Sequence, residues 1–316
     1  MTLGISLPSH WPDLGSNTVD TLIARAREAG EAGLTSIWLP QRFDHDALSI
    51  AAVIGHAVPD IAIGTSVVPI YPRHPIVVSS QAQTAQAASH GRFTLGLGLG
   101  TPRLITSFGV SFDRPIRHLR EYLSALRPLL SSGSVNLHGA TLTASTPMPA
   151  AVPGAQPPVP LLVAAMGPQA LKVTGELADG TLPYLAGPRT LSEFIVPTIT
   201  EAARAAGRPA PRIVVAFAGI VTAAVDKVRA SAEKQLASYA TVPSYRAVLA
   251  REGLKHPAEL AVIGDEEMLA AAVALYFDAG ATEIVVTSTG LSTAEDRRRT
   301  WKVLGEINRG RTRSAR

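Results

Sequence analysis

The chain has 316 residues, 46% of them hydrophobic, 17% charged and 5% aromatic, with 26 glycines and 24 prolines, which excludes a collagen-like or wholly disordered chain. The absence of cysteine excludes disulfides, iron–sulfur clusters, thiolate zinc and cysteine nucleophiles together. The formal net charge is a modest +4.

Taken in chain order, short apolar runs alternate with longer amphipathic segments. A strand is predicted at 3–7, followed by a helical pattern that Asn17 can cap and Gly33 can end. Strand 36–39 precedes a helix at 46–56, strand 61–68 one at 76–89, and strand 93–99 one at 117–130. Strand 160–166 is followed by helix 169–178, and strand 180–184 by helix 192–206. Strand 213–221 leads to helical patterns at 224–240 and 266–279, and strand 283–288 to a last helix at 294–309. The runs are continuously apolar or small, as in strands covered on both faces.

Eight strands, each with a following helix, predict an α/β fold: a single (β/α)8 TIM barrel over 1–309 with insertions after some strands. An open doubly wound sheet is the alternative. No GxxxxGK[ST] occurs, however, and no GxGxxG opens a helix after the first strand. The stretch 134–143 alternates around His138–Gly139 and predicts a hairpin. The six prolines of 146–160 predict an extended surface crossing, and 239–256, with Tyr239, Pro243 and Tyr245, reads as another insertion. The arginine-rich residues 310–316 lack an apolar anchor and are expected to fray as a solvated basic tail. Basic and aromatic residues do not interleave there, so no nucleic-acid partner is expected. No apolar run approaches the roughly 18 residues of a membrane span, and no signal-peptide pattern opens the chain. The expectation is a cytoplasmic protein without membrane contact.

Barrel active sites lie at the carboxyl ends of the strands. Two stretches there carry a signal. In 91–100 (GRFTLGLGLG), Gly96, Gly98 and Gly100 alternate with leucines. Either a flat ligand lies on bare backbone, or the strand bends and packs closely against a neighbour. At Met166-Gly167-Pro168-Gln169, glycine and proline open a helix whose unpaired amides suit a phosphate. Asp44-His45-Asp46 has metal-ligand residue types, but adjacent side chains diverge and Asp46 suits a helix cap, so no metal is predicted. Glu121 and Tyr122 read as packing or ion-pairing residues of a helix.

These segments resemble the luciferase-like flavin and deazaflavin oxidoreductases, especially the coenzyme F420-dependent branch. The resemblance is carried by 64–68 (GTSVV), 71–75 (YPRHP), 91–100, 161–167 (LLVAAMG), 176–181 (ELADGT), 262–267 (VIGDEE) and 279–286 (AGATEIVV). It implies a barrel with an irregular third strand and a non-proline cis peptide at Ser66–Val67. Ser66, Val67 and Val68 would back the ring of the cofactor, with Thr65 beside them as a further cofactor-binding residue, and Gly98, Leu99, Gly100 and Thr101 would meet its edge and ribityl chain. Met166, Gly167 and Pro168 would receive its phosphate. Related sugar-phosphate dehydrogenases carry Asp-His just after the second strand, where this chain reads Pro40-Gln41-Arg42-Phe43. That departure removes the obvious general base and leaves Gln41 as a hydrogen-bonding residue for ring or substrate.

For the proton that accompanies hydride transfer, His10 and His74 are the candidate catalytic residues, with a capping role open for His74. Arg73 and Arg103 could pair with an acidic cofactor tail or stay solvated. The first reading is therefore an F420-dependent oxidoreductase acting on a small organic substrate. An FMN-dependent luciferase-like monooxygenase and a non-catalytic deazaflavin-binding protein are the alternatives. The resemblance also implies a homodimer.

Overall fold

The computed structural model describes residues 2–7, 15, 17–288, 290–291 and 293–314. In chain order the strands are β1 (Thr2–Ser6), β2 (Ser36–Leu39), β3 (Ala62–Thr65), β4 (Val68–Pro69), β5 (Phe93–Gly98), β6 (Asn136–His138), β7 (Thr143–Ser145), β8 (Leu161–Val163), β9 (Gly180–Thr181), β10 (Arg212–Val221), β11 (Val262–Gly264) and β12 (Glu283–Thr287). The helices are α1 (Thr18–Ala32), α2 (Ala47–Ala57), α3 (Pro75–Ala88), α4 (Pro102–Thr106), α5 (Pro115–Ser132), α6 (Pro168–Leu177), α7 (Pro188–Thr190), α8 (Val196–Ala205), α9 (Val225–Leu236), α10 (Pro243–Glu252), α11 (Glu266–Asp278) and α12 (Ala294–Ser314). All eight predicted parallel strands are present, the third in two pieces, β3 and β4.

The chain forms two compact units. The first comprises Met1–Trp38, Pro183–Pro197 and Arg212–Arg316, and the second Leu39–Leu182 and Thr198–Pro211. In the first unit the strands run parallel in the order β11-β10-β12-β1-β2. Nine of the ten residues of β10 are buried, the signature of a strand covered on both faces. Glu283 on β12 is buried as well. Its Oε1 accepts from the Ser36 hydroxyl at 2.6 Å and the Trp38 indole at 2.9 Å, while Oε2 faces Arg212 at 3.0 Å. A buried carboxylate is tolerable only with such partners.

In the second unit β3 and β4 both pair with β5, β5 pairs with β8, and β8 with β9, all parallel. All six residues of β5 are buried. The antiparallel hairpin predicted around His138 and Gly139 is β6–β7. It packs through Leu137 and Ala144 on Ala125 and Leu129 of α5.

Local chemistry sets the helix ends. The Asn17 side chain accepts from the Val19 and Asp20 amides at the start of α1, and Gly33, at φ 97°, returns its N–H to Ala29 and Gly30 at the end. Leu22, Ala26 and Ala29 are its buried stripe, spaced as one helical face. Four elements were not predicted: β11, α4, the short α7, and α10 within the 239–256 insertion. The last helix runs to Ser314, past the expected end at 309. Among the described residues, no helix is long and apolar enough to cross a membrane.

Candidate cofactor-binding site

The bulge, glycine and helix-start residues singled out by sequence gather at the carboxyl ends of β3/β4, β5 and β8, all within the second unit. Between β3 and β4 the chain makes a bulge with a cis Ser66–Val67 peptide. The Ser66 amide donates to the Leu39 carbonyl at 2.8 Å. Thr65 is fully buried, and its hydroxyl donates to the Gly96 carbonyl and accepts from the Gly96 amide, both at 2.9 Å. This ties the bulge to β5.

The glycine alternation on β5 serves that close approach. A Cβ on Gly96 would stand 1.9 Å from the Thr65 carbonyl oxygen, and one on Gly98 would stand 2.5 Å from Val67 Cγ2. Gly96 and Gly98 are buried against the bulge, as is Val68, whereas Ser66, Val67 and Leu99 are half-buried and Gly100 is exposed. Close backbone packing therefore accounts for Gly96 and Gly98, and the accessible surface begins at Leu99. Gly100 turns the chain at φ 74°, and the Thr101 hydroxyl oxygen accepts from the Leu104 amide at 3.2 Å to cap α4.

Beside this lies the start of α6. Its N-cap is Gly167, no side chain caps it, and Pro168 occupies the first turn. The space a Gly167 Cβ would enter holds nothing within 4 Å. The amides of Gln169 and Ala170 thus head an uncapped helix N-terminus bordered by open space, and Met166 and Gly167 are half-buried there. Thr181 on β9 locks the end of β8, its hydroxyl donating to the Val163 and Ala165 carbonyls.

The polar candidates after β2 and β4 are engaged within the fold. Gln41 Nε2 donates to the Arg42 and His45 carbonyls at 2.7 and 2.8 Å, and Oε1 accepts from the Ala47 amide and Arg73 Nη2 at 3.0 and 3.1 Å. Those four bonds exhaust the amide; Gln41 braces the 41–47 turn and keeps nothing for ring or substrate. His74 caps α3: Nδ1 accepts from the Ile76 amide at 3.3 Å and Nε2 donates to the Thr143 carbonyl at 2.8 Å. With both ring nitrogens bonded, His74 is a strut to the hairpin. His10 lies outside the described residues.

Asp46 caps α2 through the Ser49 amide at 2.7 Å and pairs with Arg73 at 2.5 Å. Burial opposes its charge, but the bonds from Ser49 and Arg73 outweigh that and hold its pKa below the usual carboxylate range. His45 Nδ1 lies 3.1 Å from Asp44 Oδ1, while its Nε2 is buried without a partner. Residue types alone gave no sign of that arrangement, because it depends on the turn that Gln41 holds. Arg103 is exposed on α4.

The sequence pattern of the luciferase-like monooxygenases matches residues 1–295. The chain belongs to that family. It is 27% identical over 266 residues to a 5,10-methylenetetrahydromethanopterin reductase of Methanolobus tindarius, spanning 84% of this chain and 78% of that one. Among solved structures, the coenzyme F420-dependent tetrahydromethanopterin reductase of Methanopyrus kandleri superposes with a TM-score of 0.80 at 20% identity, covering 98% and 99% of the two chains. A type II Baeyer–Villiger monooxygenase component of Pseudomonas putida in complex with FMN superposes at 0.74 with 15% identity, over 98% and 97%. The shared fold is the (β/α)8 TIM barrel, as the alternation of parallel strands and helices predicts. In this luciferase-like chain, the strand-end backbone of β5 and the uncapped N-terminus of α6 lie side by side.

Proposed function

We propose that the chain is an oxidoreductase that uses coenzyme F420 to move a hydride to or from a small organic substrate. The observation that carries this reading is the α6 N-terminus, uncapped by any side chain and sterically open at Gly167. Helix-terminal amides and the helix dipole favour a phosphate there, and both deazaflavin and flavin mononucleotide carry one on a ribityl chain. When bound, the deazaflavin supplies the hydride chemistry. This chain's residues position it: Gln169 and Ala170 amides for the phosphate, Leu99, Gly100 and Thr101 along the ribityl edge, and the half-buried Ser66 and Val67 behind the ring. Arg103, on the helix that Thr101 caps, is placed to pair with an acidic tail.

Similarity to a methylenetetrahydromethanopterin reductase, and the shared fold of an F420-dependent one, supports F420 over FMN. The second reading, an FMN-dependent monooxygenase, is favoured by the equally full superposition on an FMN-bound enzyme. Titrating the protein into each cofactor and following ring fluorescence distinguishes them. F420 alone should be quenched saturably, and reduced F420 should then be oxidised with an enone or aldehyde panel. Quenching of FMN without F420 reverses the assignment, and binding without turnover of any kind leaves a carrier.

A further inference from the structure

Two segments of the second unit flank the bulge and meet again through their side chains. On one side the Leu39 carbonyl accepts from the Ser66 amide, and on the other Thr65 is tied to Gly96 of β5. From Leu39 the chain enters the 41–47 turn, which carries Phe43. From β5 it passes Thr101 and α4 to reach Phe108. The two rings pair, with centroids 5.6 Å apart and planes tilted by 34°. Phe43 nevertheless keeps 75% of its surface in water, and Phe108 43%. A single exposed apolar side chain is ordinary, but here two rings from separate segments are brought together and left uncovered.

Both rings stand on fixed backbone. The four bonds of the Gln41 amide brace the turn that carries Phe43. Thr101 caps α4, the fully buried Ile105 anchors it, and the Phe108 amide donates to the Ile105 carbonyl at 3.1 Å. Gly109, at φ 70°, then turns the chain away. An apolar surface held in this way loses little conformational freedom when it is covered. At about 200 Å² per phenylalanine, the exposed fractions leave roughly 240 Å² to cover, against about 800 Å² per partner in a stable protein interface. That area suits one ring of a small molecule and is too small for a second protein. Exposed Arg42 and Asp44 flank Phe43 in sequence with opposite charges, so the ligand there needs no net charge.

We propose that Phe43 and Phe108 form an aromatic shelf that holds a flat, uncharged aromatic group of the substrate. The proposal rests on the F420-dependent reading, in which Ser66 and Val67 of the neighbouring bulge stand behind the cofactor ring. The shelf sets specificity and takes no part in hydride transfer. It stacks the part of the substrate that does not react, and so orients the part that does.

NMR of the whole chain with its seven phenylalanines ring-labelled tests the shelf, with benzylideneacetone added in the presence and absence of F420. The Phe43 and Phe108 signals, identified by their loss in Phe43→Leu and Phe108→Leu, should shift saturably. The cyclohexyl analogue, with the same enone and a puckered ring, should bind about fivefold more weakly, the worth of one aromatic pair. Phe43→Leu should weaken the phenyl ketone by about as much and leave the cyclohexyl ketone nearly unchanged, because leucine keeps an apolar contact and loses the ring face. So exposed a residue should leave Tm unaltered on substitution, which keeps the comparison between folded proteins. No saturable shift at these two rings in either condition, equal affinity for the two ketones, or an unaffected Phe43→Leu would each overturn the assignment. Signals that move with protein concentration alone would make the pair a contact between two copies, and would overturn it too. Quenching of F420 on the same samples judges the cofactor reading separately: if F420 fails to bind while the phenyl ketone shifts both rings, that reading falls and the shelf stands as an aromatic-ligand site.

Discussion

Thr65 and Gly96 show how single residues set the site. The Thr65 hydroxyl reaches both the amide and the carbonyl of Gly96 only because no Cβ separates the strands there. Gly96→Ala would drive a methyl into the Thr65 carbonyl oxygen, backbone against backbone, where rotation of a side chain gives no relief. It should lower stability by roughly 3 kcal/mol, the upper end of overpacking costs, read as a shift in denaturant midpoint. Gly167 is the opposite case. Its φ of −93° and ψ of 154° suit any residue, and its Cβ direction is open. Gly167→Val should leave the midpoint nearly unchanged while weakening cofactor binding about tenfold, one phosphate contact's worth. Undiminished cofactor affinity in Gly167→Val would remove the phosphate from this helix end.

At the scale of elements, α5 holds the β6–β7 hairpin through one carboxylate. Glu121 accepts from the Ala140 and Thr141 amides, the Thr141 hydroxyl and Arg117. Burial alone would raise its pKa, but these bonds outweigh it and bring the value to about 2, from an ordinary 4.5. Because the folded value is the lower one, the contribution is complete above about pH 4.5 and fades as pH falls toward 2. Amide-exchange protection at Ala140 and Thr141 should decline across that window, and Glu121→Gln should show low protection throughout. A wild-type profile that stays flat through the window would show that Glu121 does not anchor the hairpin. The helix and the hairpin were both legible in sequence, because apolar spacing and an alternating pattern around His138–Gly139 are local signals. The link between them was not: it joins side chains to backbone amides 19 and 20 residues away. Gln41 was read as a ligand-facing residue, and capping and catalysis were both left open for His74, for the same reason. Each looked like a site residue by its place at a strand end, while its bonds run to a turn and a hairpin that only the fold brings near.

For the molecule as a whole, ligand binding should appear as stability. A cofactor that binds only the folded chain at about 100 times its Kd adds about 2.7 kcal/mol. In a chain of this size each kcal/mol is worth about 2 °C of Tm, so saturation with F420 should raise Tm by about 5 °C. Each further tenfold in concentration should add about 3 °C, from about 1.4 kcal/mol. FMN at the same concentration should give a smaller rise if the deazaflavin is the cofactor.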